Sequence, residues 1–182
     1  MADTGFGIAS LTLNQASFKV EDTLAAFLAE KLKDGRPDVV VGLPTLGLSL
    51  AQLVAQRLGH DRYVALGTSR KFWYDDSYLV PLSSVTSPDQ RKNLYLDPRM
   101  LPLLQGARVC LIDDAISSGR SIAAGLDLLL TAGLRPVSIG AAMLQTRRWV
   151  DLLNESHPGA VERIRGVFDS PLLRDTGKGW EP

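Results

Sequence analysis

Apolar positions along the chain change period several times, and each change marks an element. Val20, Leu24, Phe27, Leu28 and Leu32 recur at helical spacing before Gly35 and Pro37, which predicts an amphipathic helix from about Val20 to Leu32. Val39 to Val41 is a short continuous apolar strand ending at Gly42, and Leu48 to Leu58 returns to helical spacing before Gly59. Tyr63 to Thr68 reads as the next strand and Leu94 to Leu96 as a short returning one. Val109 to Ile112 is a further buried strand. The helix after it carries Ile122, Leu126, Leu129 and Leu130 on one face and ends at Gly133. Val137 to Leu144 supplies one more strand, and the tail from Arg147 holds a short helix, a strand near Val167 and an irregular end.

Strands alternating with helices predict an α/β fold in which a largely parallel sheet is covered on both faces and ligands collect at the carboxyl ends of the strands. One stretch breaks the alternation. From Ser69 to Asp89 aromatic, acidic, serine and proline residues follow no sustained period, which predicts a long loop. A structureless loop of that length inside a domain is usually functional, and a lid is the reading it suggests.

Composition narrows the class. The chain has 182 residues, enough for one domain with a full core, and its 45% apolar and 22% charged residues are those of a soluble globular protein. Twenty basic residues balance twenty acidic ones, so no whole-molecule field favours nucleic acid or an anionic membrane, and any anion site must be local. No apolar run approaches the roughly 18 residues of a membrane span and the start shows no leader pattern, which predicts a cytoplasmic protein. Cys110 sits inside a buried strand pattern, and His60 and His157 have no second ligand at metal spacing, so all three are read as structural or surface residues.

The chemistry concentrates in Val109-Cys110-Leu111-Ile112-Asp113-Asp114-Ala115-Ile116-Ser117-Ser118-Gly119-Arg120-Ser121, an apolar strand, two carboxylates and a small-residue turn that opens a helix. A helix start leaves backbone N–H groups unpaired and carries partial positive charge, so Ser117 to Ser121 suit a phosphate. Two adjacent carboxylates just before that turn suit a vicinal diol, directly or through a magnesium ion. A ribose 5-phosphate offers both groups. The plainer alternative is that Asp113 and Asp114 are loop carboxylates and that Ser117 or Ser118 caps the helix.

These thirteen residues resemble the ribose-phosphate signature of the type I phosphoribosyltransferases. The resemblance extends in element order and spacing over most of Val39 to Leu144. It implies a Rossmann-like central parallel sheet flanked by helices, with a flexible lid loop and a small hood. The whole chain 1–182 would be one domain, its core at about 36–145 and its hood built from the N- and C-terminal segments. By the same resemblance Asp113 and Asp114 hold the ribose hydroxyls and the metal, Mg2+, directly or through water. Ser117, Ser118, Gly119, Arg120 and Ser121 hold the 5-phosphate, although Arg120 stands where many members have Gly. Leu43, Pro44, Thr45, Leu46 and Gly47 form the turn that binds diphosphate through backbone amides, with Leu46 where several members carry a basic residue. Arg70 and Lys71 supply positive charge to the diphosphate. Leu43-Pro44 is a candidate cis bond, against the usual trans preference of X-Pro.

The implied reaction moves ribose 5-phosphate from 5-phosphoribosyl 1-diphosphate (PRPP) to a nucleobase nitrogen and releases diphosphate. Phe72 to Arg91 stands at the place of the lid, but Ser84-Val85-Thr86-Ser87 replaces the Glu-Tyr pair of adenine-specific members, and Asp89 is only a distant candidate for a general base. The loop looks more like that of xanthine-specific enzymes and of a purine-responsive repressor, so the acceptor is read as a purine of adenine or xanthine type. Phe168 and Trp180 are candidates for base stacking in the hood, against the alternative of packing. The resemblance also implies a homodimer. Two other readings stay open: a PRPP-binding transcriptional regulator with the same fold, and a transferase for another acceptor such as orotate or a member that has lost activity.

Overall fold

The computed structural model describes residues 5–74, 76–82 and 92–182. In chain order its strands and helices are β1 (Phe6–Ile8), α1 (Phe18–Leu32), β2 (Val39–Gly42), α2 (Gly47–Arg57), β3 (Val64–Ala65), β4 (Leu79–Leu82), β5 (Lys92–Tyr95), α3 (Leu101–Leu104), β6 (Val109–Ile116), α4 (Arg120–Thr131), β7 (Ser138–Gln145), α5 (Arg148–Ser156), β8 (Ile164–Ser170), β9 (Leu172–Asp175) and β10 (Trp180–Glu181). Five strands form one parallel sheet in the order β3-β2-β6-β7-β8.

The apolar runs become this sheet because both of its faces are covered. Alternate residues of β2 and β6 point to opposite sides: Val41, Val109 and Leu111 join the layer that contains α4 and Trp149 of α5, while Val40, Cys110 and Ile112 join the layer of α1 and α2. From β2 the chain moves outward to β3, whereas from β6 it moves the other way to β7 and β8. The strand order therefore reverses between β2 and β6. The turns leaving these two neighbours part there, which opens a crevice at the carboxyl edge of the sheet.

Two smaller sheets frame that edge. β1, β9 and β10 form an antiparallel sheet from the two ends of the chain, with Phe6 opposite Arg174 and Trp180 opposite Asp175. β4 and β5 form an antiparallel hairpin with Leu79 opposite Tyr95 and Leu82 opposite Lys92. The stretch from Ser69 is thus not one long loop: it contains a 3-10 turn at Asp76–Tyr78 and then β4. The lid residues Ser84 to Ser87, Asp89 and Arg91 lie outside the described residues.

Several boundaries differ from the sequence reading. α1 starts earlier, with the Ser17 hydroxyl accepting from the Val20 N–H at 3.3 Å, and its inner face is Glu21, Leu24, Ala25, Leu28, Ala29 and Leu32. Val20 and Phe27 point outward, 41% and 58% exposed, because two alanines let the helix approach the sheet along the adjacent stripe. Leu130 is also part-exposed, at 37%. β3 is two residues long, not six. β6 runs eight residues and carries Asp113 and Asp114 inside the strand, since the ladder to β7 continues through Asp113 opposite Ala141 and Ile116 opposite Leu144.

Leu111 lies on the central strand, fully buried, where it and Leu43 fill the space over Gly125. Leu111→Ala is expected to cost about 2–5 kcal/mol in urea denaturation, and a loss below about 1 kcal/mol would contradict this placement of the core.

Candidate active site

Gly47 fixes the geometry of the site. It is the first residue of α2, and a Cβ built on it would fall 2.8 Å from the Asp113 Cα and 2.9 Å from its Oδ1. The start of α2 therefore rests directly on β6. Leu43 N–H also donates to the Ile112 carbonyl at 2.8 Å, so the turn after β2 is tied to β6 along its length. That turn contains a cis bond at Pro44-Thr45, while Leu43-Pro44 is trans.

A cavity of about 530 Å3 opens between the two turns. Pro44, Thr45 and Leu46 line one side, and Asp113, Asp114, Ser117, Ser118, Gly119 and Ser121 line the other. The remaining wall includes Ser10, Leu11 and Thr12 after β1, Thr68, Gln145, and the hairpin ends Leu82 and Lys92. Lys92 is the only lysine or arginine among these described lining residues.

The two carboxylates differ in setting. Asp113 is 6% exposed and its Oδ1 accepts from the Asp114 N–H at 2.9 Å, while Asp114 is half-buried. Burial, and then the negative charge of Asp114, push the Asp113 carboxyl well above its ordinary 3.8. Burial also raises Asp114. Such a pair is poised to accept hydroxyl hydrogens or a cation, because either would relieve the cost of holding negative charge in a dry site.

Ser117 and Ser118 form the turn, and Gly119 sits at φ +81° as the residue before α4. No side chain caps the helix by the usual bond to its second or third N–H, but the Ser118 hydroxyl lies 3.5 Å from the Arg120 N–H. A Cβ on Gly119 would meet Trp149 Cβ at 3.0 Å and Leu152 at 3.2 Å. The glycine thus serves a left-handed turn pressed against α5, while the serines and the amides of the turn remain at the cavity.

Other candidates fall elsewhere. Leu43 is 1% exposed and belongs to the core, and Gly47 lies beneath Asp113 without lining the cavity. Arg120 is exposed and Arg70 and Lys71 are exposed, all outside the lining, with Arg70 paired to Asp76 at 2.8 Å. The chain stays at the cavity as far as Thr68, held by the Gly67–Tyr95 bridge, but the side chains of the basic pair that follows are exposed and do not line it. Phe168 and Trp180 do not line the cavity either, and Trp180 lies across Gly7, where a Cβ would stand 2.9 Å from its ring. Ser10 to Thr12, Gln145 and Lys92 were not singled out in the sequence. Nothing local marks them, and only β1–β9, β7–β8 and β4–β5 pairing brings them in.

The donor set is compatible with magnesium of a particular kind. Among the described residues no group of three histidine, cysteine, aspartate or glutamate side chains is arranged around a metal. Two neighbouring carboxylates suit an ion that keeps several waters and takes its other ligands from a substrate diphosphate. No helix among the described residues is long and apolar enough to cross a membrane.

Residues 7–156 match the family model of the phosphoribosyl transferase domain, and the chain belongs to that family. It is 32% identical over 137 residues to the bifunctional protein PyrR of Geobacter sp. (strain M21), covering 71% of this chain and 69% of that protein. Identity to the bifunctional protein PyrR of Bacillus subtilis (strain 168) is 31% over 144 residues, 73% of this chain and 71% of the relative. Among solved structures, APRTase from Giardia lamblia complexed with 9-deazaadenine superposes with a TM-score of 0.68 at 20% identity, covering 86% of this chain and 82% of that one. Adenine phosphoribosyltransferase from Trypanosoma brucei, in complex with AMP, pyrophosphate and ribose-5-phosphate, gives 0.61 at 17% identity over 82% of this chain and 63% of that one. At these identities the structural likeness is one of fold, the type I phosphoribosyltransferase fold.

The raised Asp113 carboxyl has a direct consequence for stability. Above pH 3.8 the unfolded chain has released this proton while the native chain still holds it, so the group's contribution falls as pH rises through that window. Asp113→Asn, without ligand, is expected to melt higher than the parent at neutral pH and to lose less stability between acid and neutral pH. A lower melting temperature at neutral pH would show that the buried carboxyl is instead a net stabiliser. Gly47→Ala is expected to lose about 1–3 kcal/mol through overpacking, read by the same melts. An unchanged melt would contradict the close approach of α2 to β6.

Proposed function

We propose that this phosphoribosyltransferase moves ribose 5-phosphate from PRPP to a nucleobase nitrogen and releases diphosphate. The observation that carries the reading is the joint presence, on one cavity, of the Asp113–Asp114 pair, the Ser117–Ser121 turn and the Pro44–Leu46 turn. In this reading the amides and hydroxyls of Ser117, Ser118 and Ser121 hold the 5-phosphate. Asp113 and Asp114 accept the ribose hydroxyls, and the backbone of Pro44 to Leu46 faces the diphosphate. Lys92 supplies the charge that the sequence reading gave to Arg70 and Lys71.

The residues present fit a magnesium ion held by Asp114 and Asp113, directly or through water. When bound it would neutralise the diphosphate and ease its departure. The chain's own part is to orient and to stabilise charge. As the C1–diphosphate bond lengthens, the sugar gains positive charge and the leaving group negative charge. Fixed donors on the departing side then favour the transition state over the ground state. The buried carboxylates lie on the sugar side, where negative charge offsets the developing cation. No described carboxylate other than this pair lines the cavity, so the acceptor nitrogen attacks without a general base from these residues.

A purine is the first acceptor in this reading, supported by the lid pattern and by the fold likeness to adenine enzymes. A second activity beside transfer is favoured by one observation: relatives above 30% identity carry the name bifunctional. The chain is further read as a cytoplasmic homodimer.

Diphosphate release would be measured with PRPP and magnesium while adenine, hypoxanthine, guanine, xanthine, orotate and uracil are offered separately. Release with one base, at a rate at least about a hundredfold lower in the Asp113→Asn/Asp114→Asn double variant, is the expected outcome. Lys92→Gln is expected to raise the KM for PRPP about tenfold while the KM for the base stays close to the parent value. Silence with every base while PRPP still binds would favour regulation over transfer, and an unaltered double variant would sink the site assignment.

A further inference from the structure

β8 ends the parallel sheet, and no described strand pairs with its outer side. The Thr146 N–H donates to the Ser170 carbonyl at 2.8 Å, so the backbone of Ser170 faces β7. Backbone groups alternate in direction along a strand, which turns those of Arg165, Val167 and Asp169 to the open edge. Arg165, Phe168 and Asp169 are exposed there. Neither charge has an ion pair among the described residues, and the Arg165 guanidinium donates only to the Glu162 and Ile164 carbonyls, at 2.7 and 2.9 Å. The flank of α1 continues this edge. α1 lies over β7 and β8 while α2 lies over β2 and β6, and Asp22, on the α2 side of α1, pairs with Arg57. At helical spacing the exposed Val20 and Phe27 fall on the opposite flank, toward the outer side of β8. Leu28 reaches over Gly140, which lies opposite Arg165, so Phe27 stands at the height of the open edge.

We infer that the outer edge of β8 binds a second copy of this chain, the two β8 strands pairing antiparallel about a two-fold axis at Val167. The run Arg165-Gly166-Val167-Phe168-Asp169 is complementary to its own reverse. In that register Arg165 of each copy meets Asp169 of the other, and Phe168 of each lies against Gly166 of the other, an aromatic beside a residue without a side chain. Arg165, Val167 and Asp169 are also the residues whose backbone groups face outward, so they become the hydrogen-bonded pairs of the new ladder. Charges on an edge strand usually discourage pairing. Opposite charges placed symmetrically about one residue discourage only the in-register parallel arrangement, which sets Arg165 against Arg165 and Asp169 against Asp169. The two-fold axis crosses the sheet and keeps both α1 helices on one side of it, so Val20 and Phe27 of the two copies face each other. This gives the homodimer read above a specific interface, and it is independent of the transfer reaction.

Sedimentation velocity over a dilution series of the parent chain, Arg165→Asp, Asp169→Arg and Phe27→Glu tests the interface. All three positions are exposed in the single chain, and far-UV spectra and melts would first confirm that the variants fold. The parent is expected to sediment as a dimer. Each variant should weaken dimerisation at least about tenfold, since each charge reversal sets like charges opposite one another twice and Phe27→Glu puts charge on the apolar flank. An equimolar mixture of Arg165→Asp and Asp169→Arg should recover the dimer, because each then faces the charges it lacks. A damaged fold would not be rescued in this way. A monomeric parent, a dimer that any of the three variants leaves intact, or a mixture of the two charge variants that stays monomeric would overturn the inference. None of these outcomes bears on diphosphate release, so failure of this interface and failure of the transfer reading are told apart.

Discussion

The contact between Gly47 and Asp113 is the constraint on which the rest of the site depends. A helix start and a neighbouring strand approach so closely there that no side chain fits between them. The turn after β2 and the acidic end of β6 are thereby held as one unit, at the point where the strand order reverses. The crevice follows from topology, but its chemistry follows from this contact, which brings the Pro44–Leu46 turn and Asp113 to the same cavity.

The same packing sets the electrostatics. Asp113 lies within the sheet ladder, and burial drives its carboxyl toward the neutral form. On the proposed reading, a substrate that brings hydroxyl donors and a cation to this pair would relieve the cost of holding negative charge there. On the other side, open amides and hydroxyls from Ser117 to Ser121 offer the opposite polarity within the same cavity. That contrast suits a molecule with a diol at one end and a phosphate at the other.

What was legible in the sequence was what is contiguous. Strands buried on both faces read as apolar runs, so β2, β6 and β7 stood out, and the acids, turn and helix start adjoin one another from Asp113 to Ser121. Even so, the acids prove to be part of the strand, since the ladder to β7 outlasts the apolar run. What was not legible is what long-range pairing assembles. Ser10 to Thr12 reach the cavity only because the two ends of the chain share a sheet, and Gln145 is the polar last residue of a strand whose middle, Ile139 to Leu144, is apolar or glycine. The resemblance assigns Arg70 and Lys71 to the diphosphate, yet both are exposed outside the cavity lining and Arg70 pairs with Asp76. Phe27 was placed by a helical stripe that cannot tell a large outward residue from an inward one when alanines fill the inner face.

The most direct test of the account is a structure determined with PRPP and magnesium bound. The account requires the 5-phosphate on the amides and hydroxyls of Ser117 to Ser121, the ribose hydroxyls at Asp113 and Asp114, and the diphosphate along Pro44 to Leu46. A sugar diphosphate seated elsewhere, or one whose phosphate and hydroxyls are exchanged between these two ends of the cavity, would contradict it.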